Sequence, residues 1–146
     1  RKISATRTRA MILCDAGVLL CLVDRTQPQH KAYRNTVMRL AKPLVTTWSC
    51  LTEAMYLALH RGGWQMQKQL GQLLLDKLLV VYNIQESDFS RLLALMEQYC
   101  DRPMDLADAT LVLVAEKTGY RQILTLDTDF LFYRIQNQGS FDVIQG

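Results

Sequence analysis

The sequence predicts an α/β fold, a three-layer α/β/α sandwich with a central, largely parallel β-sheet. Short apolar runs alternate along the chain with longer amphipathic segments, and several of these runs end at an acid or a turn residue. The 146 residues, 49% hydrophobic and 21% charged, suffice for one core without disulfides or a structural metal.

The first three elements follow from one apolar run and two helical segments. Residues 12–14 read as a buried strand that ends at Asp15 and a turn. Residues 18–23 then form a short predicted helix, and Pro28 opens a second one that extends to about residue 41.

The middle of the chain repeats the alternation. Residues 44–46 form the second predicted strand, and Thr46 or Thr47 can cap a helix that the glycine pair 62–63 ends. Residues 64–76 are predicted to form a separate helix.

The second half of the chain supplies three strands and two helices. Strands are expected over 78–82, 122–126 and 141–144. Ser87 can cap the first helix, whose apolar positions follow the three-four spacing, and the second extends from about residue 104 to 118. In such folds ligands bind beyond the carboxyl ends of the strands.

Charge and cysteines limit the cellular setting. Of the 17 basic and 14 acidic residues, four basic ones lie in residues 1–10, so the remainder carries a net charge of −1. Residues 1–10 are interpreted as a basic tail, disordered or left from cloning, and residues 11–146 as a single domain. Four cysteines without a C-x-x-C pair are expected to be reduced, and the longest apolar run is too short for a bilayer, so we expect a cytoplasmic protein without a membrane partner.

The most informative feature is a set of isolated acids. Asp15 is the sole charged residue between Arg9 and Asp24, and Glu53 stands alone in a mid-helix segment. The other two apolar segments with isolated acids carry pairs: Asp105 with Asp108, and Asp127 with Asp129. Carboxylates are rarely buried without a partner, so these acids require an explanation.

Each acid also has a structural explanation. Asp15, Asp105 or Asp108 can cap or start a helix, and Asp127 and Asp129 can be turn residues. Glu53 caps nothing. Since Asp15 and Asp127 are expected at the same edge of the sheet, the acids together favour one acidic pocket.

Such a pocket repels itself and needs cations. An all-oxygen set of ligands suits hard ions such as Mg²⁺ or Mn²⁺. These ions support the hydrolysis of phosphodiesters, in which they activate water and stabilise charge at phosphorus.

Four motifs in order resemble the PIN-domain nucleases, in particular VapC-type toxins and their stand-alone relatives. The motifs are ILCDAGVL, TTWSCLTEAMYLA, PMDLADATLVLVAEKTG and ILTLDTDF. The resemblance covers residues 11–146. It implies a five-stranded parallel sheet and an endoribonuclease that depends on Mg²⁺ or Mn²⁺.

The resemblance also assigns roles to individual residues. It implies that four acids bind metal and carry the catalysis: Asp15, Glu53, Asp108 and Asp127. Asp105 and Asp129 rank second, at positions where some members have additional acids. Thr125, two residues before Asp127, matches a small hydroxyl residue that can contact a metal ligand.

The resemblance implies RNA as the substrate, and an antitoxin or a second copy of the chain as protein partners. Arg25, Arg61 and Arg102 are candidate contacts to RNA phosphates, and the sequence does not choose among them. Two alternatives stay open: a non-catalytic binding module whose acidic pocket docks a basic side chain, and another Mg²⁺-dependent phosphohydrolase, suggested by the D-T-D at 127–129.

Overall fold

Five parallel strands form the sheet at the centre of the molecule. The computed structural model describes residues 10–136 and 139–146. The helices and strands are, in chain order, β1 (Ile12–Cys14), α1 (Ala16–Val23), α2 (His30–Leu40), β2 (Leu44–Thr47), α3 (Trp48–Leu75), β3 (Leu79–Tyr82), α4 (Phe89–Gln98), α5 (Leu106–Thr118), β4 (Gln122–Leu124), β5 (Arg134–Ile135), β6 (Gly139–Ser140) and β7 (Asp142–Ile144). Short 3₁₀ helices span Glu86–Asp88 and Thr128–Leu131.

The strand order reverses direction next to β1. The chain moves from β1 to β2 and β3 on one side, then crosses back to β4 and β7 on the other. Because crossovers between parallel strands are right-handed, α1, α2 and α3 cover one face of the sheet, and α4 and α5 cover the opposite face. The predicted three-layer sandwich with five parallel strands is confirmed.

The core is continuous across these layers. All three residues of β1 are fully buried, and α5 is buried at every position from 108 to 115. A helix enclosed on all sides by protein has no solvent face, which explains why its sequence is almost uninterruptedly apolar. Its C-terminus is capped by Gly119 in the left-handed region, at φ 83°.

The predicted break at the glycine pair is confirmed, whereas two later features differ from the prediction. The run from 48 to 75 consists of two helical stretches that meet at a kink at Gly63, whose backbone is non-helical and whose φ of 70° suits glycine. Ser87 does not cap the following helix: a 3₁₀ turn capped by Gln85 precedes α4. The antiparallel pair β5 and β6 was not predicted.

The remaining sequence predictions have mixed outcomes. Thr47, one of the two predicted candidates, is the N-cap of α3. Three of the cysteines are buried, and Cys100 is exposed. The basic tail assigned to residues 1–10 lies outside the described residues except for Ala10. Within the described ranges, no helix is both long and apolar enough to cross a bilayer.

Candidate active site

The candidate site lies at the carboxyl edge of the sheet, where the strand order reverses between β1 and β4. Asp15 follows β1 directly, and its N–H donates to the carbonyl of Leu124 at the end of β4, at 3.0 Å. Asp127 lies three residues after that strand, and Asp108 lies in the first turn of α5. This is the position at which doubly wound sheets place their ligands.

Three of the four principal candidates meet at this edge. One carboxylate oxygen from each of Asp15, Asp108 and Asp127 lies within 4.8 Å of the others. We call these three residues the acidic cluster. The structure thus brings together acids that are separated by up to 112 positions in the sequence, on two strand ends and one helix.

Asp15 is fixed by hydrogen bonds on both of its carboxylate oxygens. Oδ1 accepts from the N–H of Ala16 at 2.7 Å, at the start of α1, and Oδ2 accepts from the hydroxyl of Thr125 at 2.9 Å. Burial raises the pKa of Asp15, the two hydrogen bonds oppose that rise, and the charges of Asp127 and Asp105 add to it. The net direction is upward, so the hydrogen bonds do not replace a counter-ion.

Asp108 is the most strongly perturbed member of the cluster. Its side chain is 7% exposed, and its Oδ2 accepts a hydrogen bond from the hydroxyl of the buried Tyr133 at 3.1 Å. Burial raises the pKa of Asp108 to about 7, with further contributions from the charges of Asp105, Asp15 and Asp127. Without a cation, this carboxyl is half protonated near neutral pH.

Thr125 links the first and last acids of the cluster. Its hydroxyl donates to Asp15 and accepts from the N–H of Asp127 at 2.9 Å. The Thr125 hydroxyl therefore contacts a residue of the acidic cluster directly. β4 ends at Leu124 and not at residue 126 as predicted, because its two neighbouring strands end level with it, β1 at Cys14 and β7 at Ile144.

The remaining candidates surround the cluster. Glu53 lies on α3 and is largely exposed. Partial burial of its carboxylate and the charges of Asp15 and Asp105 raise its pKa, so this carboxylate lies near the acidic cluster, on its solvent side. Asp105 is the N-cap of α5 and accepts from the N–H of Asp108 at 2.8 Å. Asp129 forms an ion pair with Arg102 at 3.1 Å. Asp105 and Asp129 thus have structural partners of their own.

Sequence reasoning missed Tyr133. It follows two other aromatic residues in the segment DFLFY, and nothing in that pattern distinguishes the one whose hydroxyl reaches Asp108. The hydrogen bond forms because the turn after Asp127 carries the chain back over the N-terminus of α5. Tyr133 is fully buried, and its ring packs edge-on against those of Tyr99 and Phe130.

The donor set fits a hard divalent cation. All three cluster residues offer carboxylate oxygens, which Mg²⁺ and Mn²⁺ prefer. Among the residues that the structure describes, none of the four salt bridges includes a member of the cluster. The raised pKa of Asp108 reports the same deficit of positive charge, and a bound cation would supply it.

Comparison with known proteins identifies relatives over nearly the whole chain. The sequence profile of the PIN domain matches residues 12–137. Ribonuclease VapC26 of Mycobacterium tuberculosis (strain ATCC 25618 / H37Rv) is 27% identical over 134 residues, which cover 91% of this chain and 99% of that protein. The crystal structure of M. tuberculosis VapC20, a toxin that cleaves the sarcin–ricin loop, superposes with a TM-score of 0.72 at 19% identity, over 81% of this chain and 91% of that one.

Proposed function

The chain belongs to the PIN-domain family, and from this premise we propose that it is a metal-dependent endoribonuclease that hydrolyses RNA phosphodiester bonds. The family resemblance that four sequence motifs indicated is confirmed by the match over residues 12–137. The name and activity of the relative VapC26 support a toxin of the VapC type or a stand-alone relative of these toxins.

The observation that carries the proposal is the acidic cluster itself. Its three carboxylates offer oxygens within 4.8 Å of one another at the carboxyl edge of the sheet, and none of the salt bridges among the described residues includes them. Mg²⁺ or Mn²⁺ bound there would activate water and stabilise the charge that develops on the phosphate. Glu53 and Asp105, at the mouth of the pocket, are suited to contact that ion through water.

The protein prepares the cluster through neighbouring hydroxyl groups. Thr125 fixes Asp15 and the backbone of Asp127 together, and Tyr133 fixes one oxygen of Asp108. Partners of this type orient ligands and are typical of metal sites. Because the pKa of Asp108 is about 7, metal binding at neutral pH also removes a proton from this carboxyl.

The same deficit of positive charge suits a protein partner. A basic side chain of an antitoxin inserted into the pocket would neutralise the acidic cluster as a metal does and would block RNA. We therefore include a cognate antitoxin among the proposed partners, together with RNA. A homodimer is proposed on family resemblance alone.

Cleavage of a structured RNA in the presence of Mg²⁺ or Mn²⁺ tests the function. We expect cleavage to stop with a chelator and to fall more than about 100-fold in Asp15→Asn and Asp108→Asn, because changing even the partners of metal ligands costs about 10- to 100-fold. The matched control is Asp142→Asn, an exposed acid at the amino end of β7, on the opposite edge of the sheet.

Two measurements together would contradict the proposed nuclease function. Folded protein that cleaves no RNA with Mn²⁺ and binds no metal by calorimetry would exclude the nuclease. A basic peptide that binds this protein and not Asp108→Asn would then favour a binding module.

A further inference from the structure

Arg102 lies at the rim of the candidate active site and is held there from two sides. Its Nη1 donates to Oδ1 of Asp129 at 3.1 Å, and its guanidinium carbon lies 3.9 Å from the centre of the Phe132 ring. The N–H of Asp129 in turn donates to Oδ1 of Asp127, in the acidic cluster, at 2.9 Å. Two short contacts therefore connect this cation to the cluster.

The segment under the Arg102 guanidinium is itself fixed. Nη1 of Arg134 donates to three successive carbonyls, those of Leu131, Phe132 and Tyr133, at 2.9 to 3.0 Å. This contact holds the backbone that carries the Phe132 ring. A guanidinium stacked on a fixed ring loses little freedom when it binds a ligand, so Arg102 is pre-organised while its side chain remains 49% exposed.

The other two arginines that the sequence singled out are arranged differently. Arg61 is bonded to the buried Asp24 and to Thr26, so it ties α3 to the end of α1. Arg25 is exposed, and within the described part of the chain no hydrogen bond or ion pair fixes its side chain. Of the three arginines, Arg102 alone combines a fixed position with a hydrogen-bonded connection, through Asp129, to the acidic cluster.

A cation beside the acidic cluster can offset the repulsion between the cluster and an RNA strand. A phosphodiester that approaches the acidic cluster meets several carboxylates, and its flanking phosphates must lie beside them. Asp129 occupies one of the five N–H groups of Arg102, so the remaining donors can engage a phosphate in the forked geometry that arginine favours.

We propose that Arg102 binds a phosphate of the RNA strand adjacent to the bond that is cleaved. This inference rests on the proposed nuclease function and adds the residue that holds the substrate. Asp129 and Phe132 position the guanidinium, which assigns Asp129 to substrate binding through Arg102 and not to the metal.

The first test compares Arg102→Ala with wild type in steady-state RNA cleavage. We expect KM to rise about 10- to 100-fold, as for the loss of a charged hydrogen bond, with a smaller change in kcat. The slope of log KM against log salt concentration should fall by about one phosphate contact. Arg102→Lys keeps the charge but loses the fork and the stacking, so its KM should be intermediate.

Arg39→Ala is the matched control. Arg39 is an exposed arginine in the last turn of α2, which leads to the amino end of β2 on the opposite edge of the sheet. It removes the same charge from the protein, so KM and the salt slope should stay near wild type. Equal effects in the two variants would overturn the inference, because they would report net charge and not a local contact.

RNA binding by the Asp15→Asn protein separates this inference from the proposed function. If wild type cleaves RNA but Arg102→Ala has the KM and salt slope of wild type, the inference fails and the nuclease stands. If wild type does not cleave RNA, the function fails, and the affinity of Asp15→Asn with and without Arg102→Ala still decides the role of Arg102. Phe132→Leu should weaken binding in the same direction but less than Arg102→Ala.

Discussion

Two aspartates of this protein are buried to a similar degree and have opposite electrostatic environments. Asp24, at the end of α1, is 2% exposed, and Asp108, at the start of α5, is 7% exposed. Burial would raise the pKa of Asp24, but hydrogen bonds from Arg61, Thr26 and Gln27 outweigh it and hold that pKa well below its usual range. Asp108 has a neutral tyrosine and further acids as neighbours, and its pKa rises to about 7.

The difference separates structural acids from functional ones. Other shielded acids resemble Asp24: Asp88 is paired with Lys117 at 3.0 Å, and Glu116 with Arg91 at 2.8 Å. Folding favours such pairs because a buried charge without a partner is costly. The acidic cluster has no such partner, so its buried charges destabilise the folded protein. We therefore expect a bound ligand to supply the positive charge there.

The largest effect on stability is expected from Asp24→Ala. Its carboxylate accepts hydrogen bonds from the backbone and hydroxyl of Thr26, from Gln27 and from Arg61. Their loss should lower the free energy of unfolding by about 2 to 4 kcal/mol, the lower part of the range being favoured because Arg61 is half exposed. Urea denaturation measures this change.

Asp101→Ala, which removes an exposed acid, controls for the change in net charge. We expect it to stay within about 0.5 kcal/mol of wild type. A loss of similar size in both variants would mean that the pairing of Asp24 is not what stabilises it.

The second effect concerns the acidic cluster and divalent ions. Mg²⁺ or Mn²⁺ should stabilise wild type by about 2.7 kcal/mol when the free ion is at 100 times its dissociation constant. Asp24 lies outside the acidic cluster. Asp24→Ala should therefore be less stable than wild type without metal but gain the same free energy of unfolding when the ion is added. Thermal melts with and without the ion measure both, and a gain that survives in Asp15→Asn would place the ion elsewhere.

The contrast between these aspartates shows what the sequence can and cannot predict. The isolation of Asp15, Asp108 and Asp127 within apolar segments selected three acids that the structure brings together. The same rule also selected Glu53, which is exposed, because isolation along the chain is not isolation in space. The sequence did not predict the ion pair of Asp24, since its partner Arg61 lies 37 residues away along the chain.

The fold was predictable because its central strands, β1 and β2, are short and buried on both faces. β1 and α5 are apolar over most of their length, so their type and position follow from hydrophobicity. The contacts of Arg102 and Tyr133 with the candidate site were not predictable, since both depend on how the turn after Asp127 folds back. Such a turn has no periodicity to detect.

The third effect is a gain in stability from Asp108→Asn in protein freed of metal. The unfolded pKa of an aspartate is about 4, so between about pH 4 and 7 the folded protein retains a proton that the unfolded chain releases. The stability that Asp108 contributes is therefore present below about pH 4 and is lost as pH rises through about 7. Asn cannot ionise, and the variant should exceed wild type by about 1 to 2 kcal/mol at pH 8, after allowance for solvent at the pocket mouth.

Urea denaturation in the presence of a chelator, at pH 5 and at pH 8, measures this difference. We expect the gain of Asp108→Asn over wild type to be smaller at pH 5 than at pH 8 and to vanish only below about pH 4. Asp24 should show the opposite dependence, because its lowered pKa makes its contribution disappear as pH falls below about 4. A loss of stability in Asp108→Asn at both pH values would mean that Asp108 is structural, as Asp24 is.

The smallest effect separates the position of Asp108 from its charge. Tyr133→Phe removes the hydroxyl that donates to Oδ2 of Asp108 and keeps the ring that packs against Tyr99 and Phe130. RNA cleavage should fall about tenfold, at the lower end of what the loss of a partner to a metal ligand costs, while the free energy of unfolding changes by about 1 kcal/mol or less. Because the lost hydrogen bond also favours the ionised form of Asp108, the acid limb of the pH–rate profile should move to higher pH. The contrary outcome is a pH–rate profile at the same pH as in wild type, with activity lost only in proportion to the loss of folded protein. Tyr133 would then act through packing alone, and α5 would be sufficient to orient Asp108.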